Sequence, residues 1–444
     1  MNRRQFLKAS AVAACVSGLQ IVPRHVLGQG QTPPSEKLNI AGVGIGGQGG
    51  GDLNEMATEN IVALCDVDWK KAAWQFNKFP KAEKFKDYRV MFDKVARTFD
   101  AVMCATPDHM HAPITLAALR AGKHVYVEKP MAHTIEEARL MTRVAKETGL
   151  VTQMGNNGHA GEGLRQTKEW IDAGAIGIVK EIHVWTDRPG TPGHQWWPQP
   201  AERPTIVEPV PPELDWDLFL GAAPERPYSS KYHPFAWRGW FDFGTGALGD
   251  MAVHNMDPAF FALDLGAPIA AEAQTSPIGK ESYPAWQIIT YEFAAKGSRP
   301  AVKLAWYDGG KLPAVPKDVE AEFKIADNGI MFVGEKGTMV CGGWAGQPRL
   351  FPAARRKEFE LPAKTLPRSI GHRQEWIQAC KDHKPEKSMA GFAYSGPYTE
   401  ALLVGNLASR LQKRIEWDSV NMKASNAPEA EALVHKKYRK GFEI

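Results

Sequence analysis

Residues 38–49 have the sequence LNIAGVGIGGQG, in which a short apolar run is followed directly by glycines in the spacing Gly-x-Gly-x-x-Gly. A glycine pattern that follows a strand and opens a helix is typical of a dinucleotide-binding turn. In such a turn Gly44 would make the tight bend, Gly46 would let the backbone approach a pyrophosphate, and Gly49 would allow close packing of the helix. Because glycine-rich runs also form plain flexible turns, this motif needs a second signal.

A carboxylate at the end of the next apolar run supplies that signal. Asp66 follows residues 61–64 and lies roughly 20 residues beyond the glycines, where an acid binds the adenosine ribose hydroxyls. An acid here repels a 2′-phosphate, and no arginine follows it closely, although Lys70 and Lys71 are near. The two signals together predict a site for NAD and disfavour NADP.

Short apolar runs and helix-like stretches alternate through the first third of the chain. The runs are residues 38–43, 61–64, 101–105, 124–127 and 151–154. The helix-like stretches include residues 112–121 and 135–148. This alternation predicts an α/β protein whose first domain, residues 37–155, is a Rossmann-type, doubly wound parallel sheet.

Beyond residue 155 the apolar runs become longer and are joined by turns. They are residues 179–186, 288–293, 301–306 and 330–340. They predict an α+β domain over residues 156–390 with a large, open-faced and mainly antiparallel sheet. The exposed face favours association into a homo-oligomer. The final segment, residues 391–444, includes a helix-like stretch at 398–411, and we expect it to return to the first domain.

The charge balance excludes one class of partner. The formal net charge is +4, but Arg3, Arg4, Lys8 and Arg24 lie in the first 30 residues with no acid among them. The remaining chain is near neutral and has no run of like charges, whereas a nucleic-acid binder carries a basic patch. We therefore do not expect a nucleic-acid partner.

The amino terminus has the features of an export signal. Residues 1–8 are MNRRQFLK, with a pair of arginines, and residues 9–22 are mostly apolar. We predict a twin-arginine signal over residues 1–30, recognition by the twin-arginine (Tat) export machinery and a periplasmic location. The apolar stretch is too short for a membrane span, which needs about 20 residues. Stable membrane insertion is therefore not expected.

Three further motifs carry a family resemblance. They are Thr106-Pro-Asp-His-Met-His111, Glu128-Lys-Pro130, and the stretch GTGALGDMAVH at residues 244–254. In this order, downstream of the glycine motif, they resemble the superfamily of glucose-fructose oxidoreductase, inositol dehydrogenase and rhizopine catabolism (Gfo/Idh/MocA). The likeness extends over residues 38–418. It implies a Rossmann domain and a sheet domain that hold cofactor and substrate at their junction.

The resemblance also implies roles for individual residues. His254 is the candidate base, since an imidazole with an unperturbed pKa near 6.5 exchanges protons in the working range. Lys129 would hold the substrate oxygen and also contact the cofactor, and Asp250 would orient the substrate. Asp250 and His254 are four residues apart, so on a helix they share a face. Glu128 would lie near the nicotinamide ribose. Two cofactor-loop contacts are expected as well, at Thr106 and His109.

Other candidates have equally ordinary explanations. Residues 187–240 are rich in Pro, Gly and Trp, and a long irregular stretch of this kind is usually functional or disordered. The substrate-binding candidates are Asn157, Trp237, Arg238 and Trp240. The tryptophans suit stacking on a sugar face and subunit packing equally well, and Asn157 could simply form a turn. The dispersed histidines and carboxylates give no metal motif, so we expect no metal.

The resemblance implies an NAD-dependent oxidoreductase that acts on a CH–OH group of a sugar, glycoside or polyol. If the protein is exported, the cofactor must stay bound and be recycled in place. An NAD-dependent glycosidase that works by transient oxidation and elimination is the first alternative. A non-catalytic regulator that binds sugar and dinucleotide is the second.

Overall fold

The computed structural model of the chain describes Pro33 and residues 36–191 and 193–444. The predicted export signal at residues 1–30 lies outside the described residues.

The first domain is built on a six-stranded parallel sheet in the order β3-β2-β1-β4-β5-β6. Its strands are β1 (Asn39–Val43), β2 (Asn60–Cys65), β3 (Glu83–Phe85), β4 (Ala101–Cys104), β5 (His124–Val127) and β6 (Thr152–Met154). Five of them coincide with the predicted apolar runs. The edge strand β3 was not predicted because it is three residues long and only Phe85 is buried.

Helices cover both faces of this sheet, which confirms the doubly wound class. They are α1 (Gln48–Glu55), α2 (Trp69–Lys78), α3 (Tyr88–Val95), α4 (His111–Arg120), α5 (Ile135–Thr148) and, from much later in the chain, α11 (His372–Asp382). Leu53 of α1, Phe76 of α2 and Trp376 of α11 share one hydrophobic cluster. Residues of α3, α4 and α5 belong to another. The predicted boundary at residue 390 assigns α11 to the sheet domain, whereas the helix packs on the Rossmann sheet.

The second domain contains a nine-stranded sheet in the order β15-β14-β13-β7-β12-β11-β10-β16-β17, antiparallel except for the β7–β12 pair. Its strands are β7 (Val179–Trp185), β10 (Ala270–Thr275), β11 (Gln287–Phe293), β12 (Val302–Tyr307), β13 (Gly329–Gly334), β14 (Thr338–Gly342), β15 (Pro348–Phe351), β16 (Ile415–Asp418) and β17 (Lys423–Ala424). The predicted mainly antiparallel sheet is confirmed. The single strand predicted at 330–340 is wrong: it is the hairpin β13–β14, which turns at Gly337 with a φ of +148°.

One face of this sheet packs on helices. In β11, Ile289, Tyr291 and Phe293 are buried, and the alternate residues are partly exposed. The Tyr291 hydroxyl donates a hydrogen bond to the Leu402 carbonyl (3.3 Å) in α12 (Phe392–Leu411). Association of two copies through the opposite, more exposed face stays a prediction.

The long helix α12 lies between the two domains. It begins at Phe392, before the predicted stretch 398–411, and Pro397 lies inside it. Its Glu400 is paired with Arg139 of α5 (2.5 Å), and its other side packs on the large sheet. Within the described part of the chain, no helix is long and apolar enough to cross a bilayer.

The remaining elements are short. They are α6 (Glu162–Asp172), the two-stranded pair β8 (Gly190–Thr191) and β9 (His194–Gln195), α7 (Trp216–Leu220), a π-helical segment (Leu248–Ala252), α8 (Val253–Asn255), α9 (Asp257–Leu263), α10 (Ala353–Glu358) and α13 (Glu431–Val434).

Candidate active site

The glycine turn and Asp66 are joined directly. The backbone amides of Ile45 and Gly46 both donate to Asp66 Oδ2, at 2.8 and 2.9 Å. Gly44 has a φ of +78°, and a Cβ on Gly49 would lie 2.3 Å from the Gly44 carbonyl oxygen. A side chain is therefore excluded at both positions, as close packing of the turn requires. Burial raises the pKa of Asp66 to about 6.

A single groove runs from this turn, at the carboxyl ends of the Rossmann strands, towards the second domain. We call it the cofactor groove. The predicted site residues that line it are Gly44, Gly46, Asp66, Thr106, Glu128, Lys129, Trp237, Arg238 and Asp250. The structure therefore brings together residues from three distant parts of the sequence.

Charged side chains form a compact cluster at the far end of the groove. Lys129 Nζ donates to Asp250 Oδ1 (2.8 Å) and to the Asp250 carbonyl oxygen (3.1 Å). Arg238 Nε donates to the same Oδ1 (3.4 Å). Burial alone would raise the pKa of Asp250, but the charges of Lys129 and Arg238 outweigh it and hold that pKa well below its ordinary value. Asp250 is therefore a carboxylate at neutral pH.

Asp250 lies on a π-helical turn, the wider helix geometry that is often found at functional sites. A Cβ on Gly249 would lie only 1.8 Å from Thr245 Oγ1, so this turn requires a glycine there. The sequence argument assumed a regular α-helix for Asp250 and His254. In the structure the π turn ends at Ala252, and His254 lies in the short helix that follows.

His254 is buried beside this cluster and does not itself line the groove. Burial, followed by the charge of Lys129, lowers the pKa of His254 to about 3. The pKa of His254 therefore lies well below the unperturbed imidazole value near 6.5. Its Nδ1 has no hydrogen-bond partner among the described residues. The ring is a neutral imidazole with a free nitrogen.

Glu128 is also buried, at 5% exposure. Burial and then the charge of Asp52 raise the pKa of Glu128 to about 8. Its Oε2 accepts a hydrogen bond from the Lys129 backbone amide (3.2 Å). The raised pKa favours the protonated form of this carboxyl group, which lines the groove.

Two family models match the chain. The first, the NAD-binding Rossmann fold of the Gfo/Idh/MocA oxidoreductase family, matches residues 37–156. The second, the C-terminal alpha/beta domain of that family, matches residues 161–302. The chain belongs to the Gfo/Idh/MocA oxidoreductase family. Its first domain is an NAD-binding domain, as the glycine spacing and Asp66 predict.

The similarity to individual proteins covers only part of the chain. Levoglucosan dehydrogenase of Pseudarthrobacter phenanthrenivorans is 29% identical over 196 residues, which are 44% of this chain and 40% of that protein. A glycosyl hydrolase family 109 protein of Shewanella amazonensis is 34% identical over 160 residues, 31% of this chain and 35% of that protein. The chain thus spans less than half the length of these relatives.

A solved structure shares the fold over most of the chain. The WlbA dehydrogenase from Bordetella pertussis, in complex with NADH and UDP-GlcNAcA, has a TM-score of 0.57 at 17% identity. The match covers 86% of this chain and 99% of that one. This match shows that the two chains share their fold across both domains.

Besides His254, three of the predicted ligand contacts, His109, Asn157 and Trp240, lie outside the groove lining. His109 is buried, and its Nε2 donates to the Phe219 carbonyl (3.0 Å), so it holds α7 in place. Trp240 is fully buried, and its Nε1 donates to the Lys231 carbonyl (2.9 Å). Asn157 is exposed at the start of a 3₁₀ turn. The sequence could not separate these structural positions from ligand contacts.

Trp344 is a candidate that the sequence analysis missed. Its ring centroid lies 5.7 Å from that of His254, and its side chain is 44% exposed. Trp344 and Ala345 both have left-handed backbone, with φ of +56° and +54°, a conformation that is strained in residues other than glycine and is often found at functional sites. The Trp344 amide donates to Asn255 Oδ1 (3.1 Å), which fixes the turn. The available signal in the sequence was a tryptophan within the glycine-rich stretch GGWAG at residues 342–346.

The groove also has an outer wall that no motif predicted. Its lining residues are Leu218, Phe219, His233, Phe235 and Phe442. Within the described residues, no group of three or more His, Cys, Asp or Glu side chains could hold a metal ion.

Proposed function

We propose that this chain is an exported, NAD-dependent oxidoreductase that interconverts a CH–OH group and a ketone on a sugar, glycoside or polyol. The observation that carries the proposal is the Lys129–Asp250–Arg238 cluster. It closes the same groove that begins at the glycine turn and Asp66. One end therefore suits the adenosine half of a dinucleotide, and the other end suits the reacting oxygen.

NAD, when bound, supplies the hydride acceptor for this reaction. Lys129 donates a hydrogen bond to the substrate oxygen and stabilises the negative charge that develops on it. Asp250 stays ionised, positions Lys129, and offers its remaining acceptor capacity to a neighbouring hydroxyl group. Arg238 fixes Asp250 from the opposite side.

His254, which is buried beside the Lys129–Asp250 cluster and outside the groove lining, is proposed to accept the hydroxyl proton when substrate occupies this end of the groove. Its depressed pKa keeps it in the neutral form, which is the form that can accept a proton. A group with such a low pKa holds the proton only briefly, so the proton passes on to solvent.

The substrate class rests on relatives. Levoglucosan dehydrogenase is named for a sugar substrate, and the catalytic cluster suits any carbinol flanked by hydroxyl groups. The likeness to a glycosyl hydrolase family 109 protein favours a second candidate, an NAD-dependent glycosidase. In that reaction bound NAD would supply a reversible hydride acceptor. Transient oxidation of the sugar would acidify the adjacent C–H bond, so that the aglycone leaves by elimination and water adds before the ketone is reduced again.

Export through the twin-arginine signal at residues 1–30 is part of the proposal and implies a periplasmic enzyme with a tightly bound, recycled cofactor. The first test is to denature protein from a periplasmic extract and identify the released dinucleotide by mass and absorbance. Stoichiometric NAD or NADH supports the proposal. Empty protein found only in the cytoplasm contradicts export and resident cofactor.

Activity separates the candidates. Pairs of sugars are supplied to the holoenzyme, and nicotinamide absorbance and product masses are followed. Oxidation of one sugar with reduction of another supports the oxidoreductase. Release of nitrophenol from a nitrophenyl glycoside without added NAD supports the glycosidase. Protein that binds NAD and sugar but never changes the oxidation state of its cofactor is a regulator.

A further inference from the structure

One continuous segment, residues 213–238, supplies most of the outer wall of the groove. We call this segment the strap. Its first residues pair with the segment that follows β2: the Trp69 amide donates to the Glu213 carbonyl (3.2 Å), and the Asp215 amide donates to the Val67 carbonyl (2.9 Å). Its last residue, Arg238, contacts Asp250. The strap therefore extends from the Asp66 end of the groove to its catalytic end.

The strap is a folded element with its own interior. Trp216, Phe219 and Tyr232 belong to a separate hydrophobic cluster, and all three are buried. Asp215 caps helix α7 through a hydrogen bond from the Leu218 amide (3.0 Å). Because the strap has this small core, it can hold a fixed position against the groove.

A buried polar pair fixes the strap beside Asp66. His233 Nε2 donates to Asp68 Oδ2 at 2.8 Å, and both side chains are about nine-tenths buried. Burial alone would raise the pKa of Asp68, but its hydrogen bond from His233 and its other contacts hold that pKa below its ordinary value. The pair lies two residues from the carboxylate that the fold assigns to the adenosine ribose.

The last residues of the chain fasten the strap from outside. In this tail, residues 435–444, Arg439 Nε donates to the Gly221 carbonyl of the strap (2.9 Å). The Gly441 carbonyl accepts a hydrogen bond from Arg89 of α3 (2.9 Å), whose guanidinium lies 4.1 Å from the centre of the Phe442 ring. The tail thus connects the strap to the Rossmann domain.

Phe442 itself lines the groove and is only 4% exposed. Lys86 and Tyr88, which follow β3, line the same end. An aromatic ring, a basic side chain and a phenol beside the ribose acceptor Asp66 form a suitable environment for an adenine ring. No motif of the Rossmann domain supplies Phe442, because it comes from the opposite end of the chain.

We propose that the strap and the tail are the elements that retain NAD: they form the outer wall of the site for its adenosine half, and they must separate before the dinucleotide can leave. This inference rests on the proposed function. Release requires the pairing with the segment that follows β2, the His233–Asp68 pair and the Arg439 and Arg89 contacts to open together. Retention is therefore built from residues outside the nucleotide-binding motif.

The test measures NAD release from purified holoenzyme. Protein loaded with NAD is freed of excess cofactor and mixed with an excess of a second NAD-dependent dehydrogenase and its substrate, which reduces each released NAD and reports it by absorbance. We expect Arg439→Ala, Phe442→Ala and His233→Ala each to release NAD at least tenfold faster than the unchanged protein.

Lys440→Ala is the matched control. Lys440 is an exposed tail residue for which no hydrogen bond or ion pair is found in the described part of the chain. This variant should release NAD at the unchanged rate. Arg439→Ala and Phe442→Ala alter only the last six residues, so they test the tail even if His233→Ala fails to fold.

The outcomes separate this inference from the proposed function. If the unchanged protein and all the variants bind NAD and release it at the same rate, the retention role is overturned. The oxidoreductase proposal then still stands. Protein that binds no NAD in a direct titration overturns both.

Discussion

Lys129 and Asp250, 121 positions apart in the sequence, meet through a 2.8 Å ion pair at the junction of the two domains. Lys129 follows a Rossmann strand, and Asp250 lies on the π turn of the second domain. Both side chains are less than one-fifth exposed, so the pair is only weakly screened by solvent. The end of the groove that contains Lys129 and Asp250 is thus formed only when the two domains pack together correctly.

Replacing Lys129 with Met should reduce turnover by roughly 10²- to 10³-fold, because the donor that stabilises the developing oxyanion is lost. NAD affinity should change little, since the ribose and pyrophosphate contacts remain. Single-turnover reduction of bound NAD and a separate NAD titration measure the two effects. Lys94→Ala, at an exposed position of the same domain, is the control. Unchanged turnover in Lys129→Met would remove this residue from the mechanism.

NAD affinity should decrease in acid because of Asp66. Its pKa of about 6 lies above the ordinary value of 3.8, and the ribose hydroxyls need the carboxylate as acceptor. Affinity should therefore be full above pH 7 and decline by about tenfold per pH unit below 6. Titrations of NAD between pH 5 and 8 check this. The Asp66→Asn variant should bind NAD more weakly, and its NAD affinity should no longer depend on pH. If the affinity of that variant shows the same pH dependence, the titrating group is not Asp66.

His254 should not produce an acid limb near pH 6.5 in the rate profile. Its pKa is lowered to about 3, so the imidazole stays neutral and able to accept a proton as the pH falls from 7 to 5. The measurement is kcat with NAD and substrate saturating, which removes the effect of Asp66 on binding. His254→Gln should reduce kcat throughout. An acid limb near 6.5 that disappears in His254→Gln would falsify the neutral assignment.

Trp344→Gly should raise the KM for the sugar by roughly fivefold, equivalent to about 1 kcal/mol of lost ring contact, without changing NAD affinity. Glycine adopts the left-handed backbone of this position without strain, so the fold should keep its stability. Trp344→Phe retains an aromatic ring, so its KM should lie between that of the unchanged protein and that of Trp344→Gly. An unchanged KM in the glycine variant would mean that the ring does not contact substrate.

Arg373→Met should reduce the free energy of unfolding by about 3–5 kcal/mol, because Asp52 is then left buried without its partner. The pair joins α11 to α1 at 2.5 Å, with Asp52 fully buried. Denaturant unfolding of NAD-free protein measures the loss. The double variant Asp52→Asn with Arg373→Met should recover part of it. A double variant as unstable as Arg373→Met would show that the lost packing of the Arg373 side chain matters more than the charge.

Local signals predicted most of the first domain. The glycine turn and Asp66 could be assigned because a short strand–turn–helix unit fixes their relation. Lys129 and Asp250 could be paired only through the family resemblance, since no spacing rule connects residues so far apart. The contact of His233 with Asp68, 165 positions away, depends on how an irregular segment packs on the first domain.

The predicted ligand contacts that lie outside the groove have a common physical explanation. His109 and Trp240 have residue types that suit ligands, but each satisfies a backbone carbonyl inside the protein. The π turn at Asp250 depends on the close approach of Gly249 to Thr245, which a regular helical period does not reveal. The lowered pKa of His254 follows from its burial next to Lys129, and burial of a single histidine cannot be calculated from sequence.

Helix α11 gives the nucleotide-binding domain an unusual order of assembly. Trp376 packs on strands of the Rossmann sheet, which lie within the first 155 residues. Helix α11, which carries Trp376, is synthesised more than 200 residues later. During translation the part of this sheet face that α1 and α2 do not cover stays exposed until α11 has been synthesised. A fragment that ends at residue 155 would lack α11 and leave the surface beneath Trp376 exposed, so it should aggregate. The first 155 residues therefore do not contain everything that this domain needs to fold.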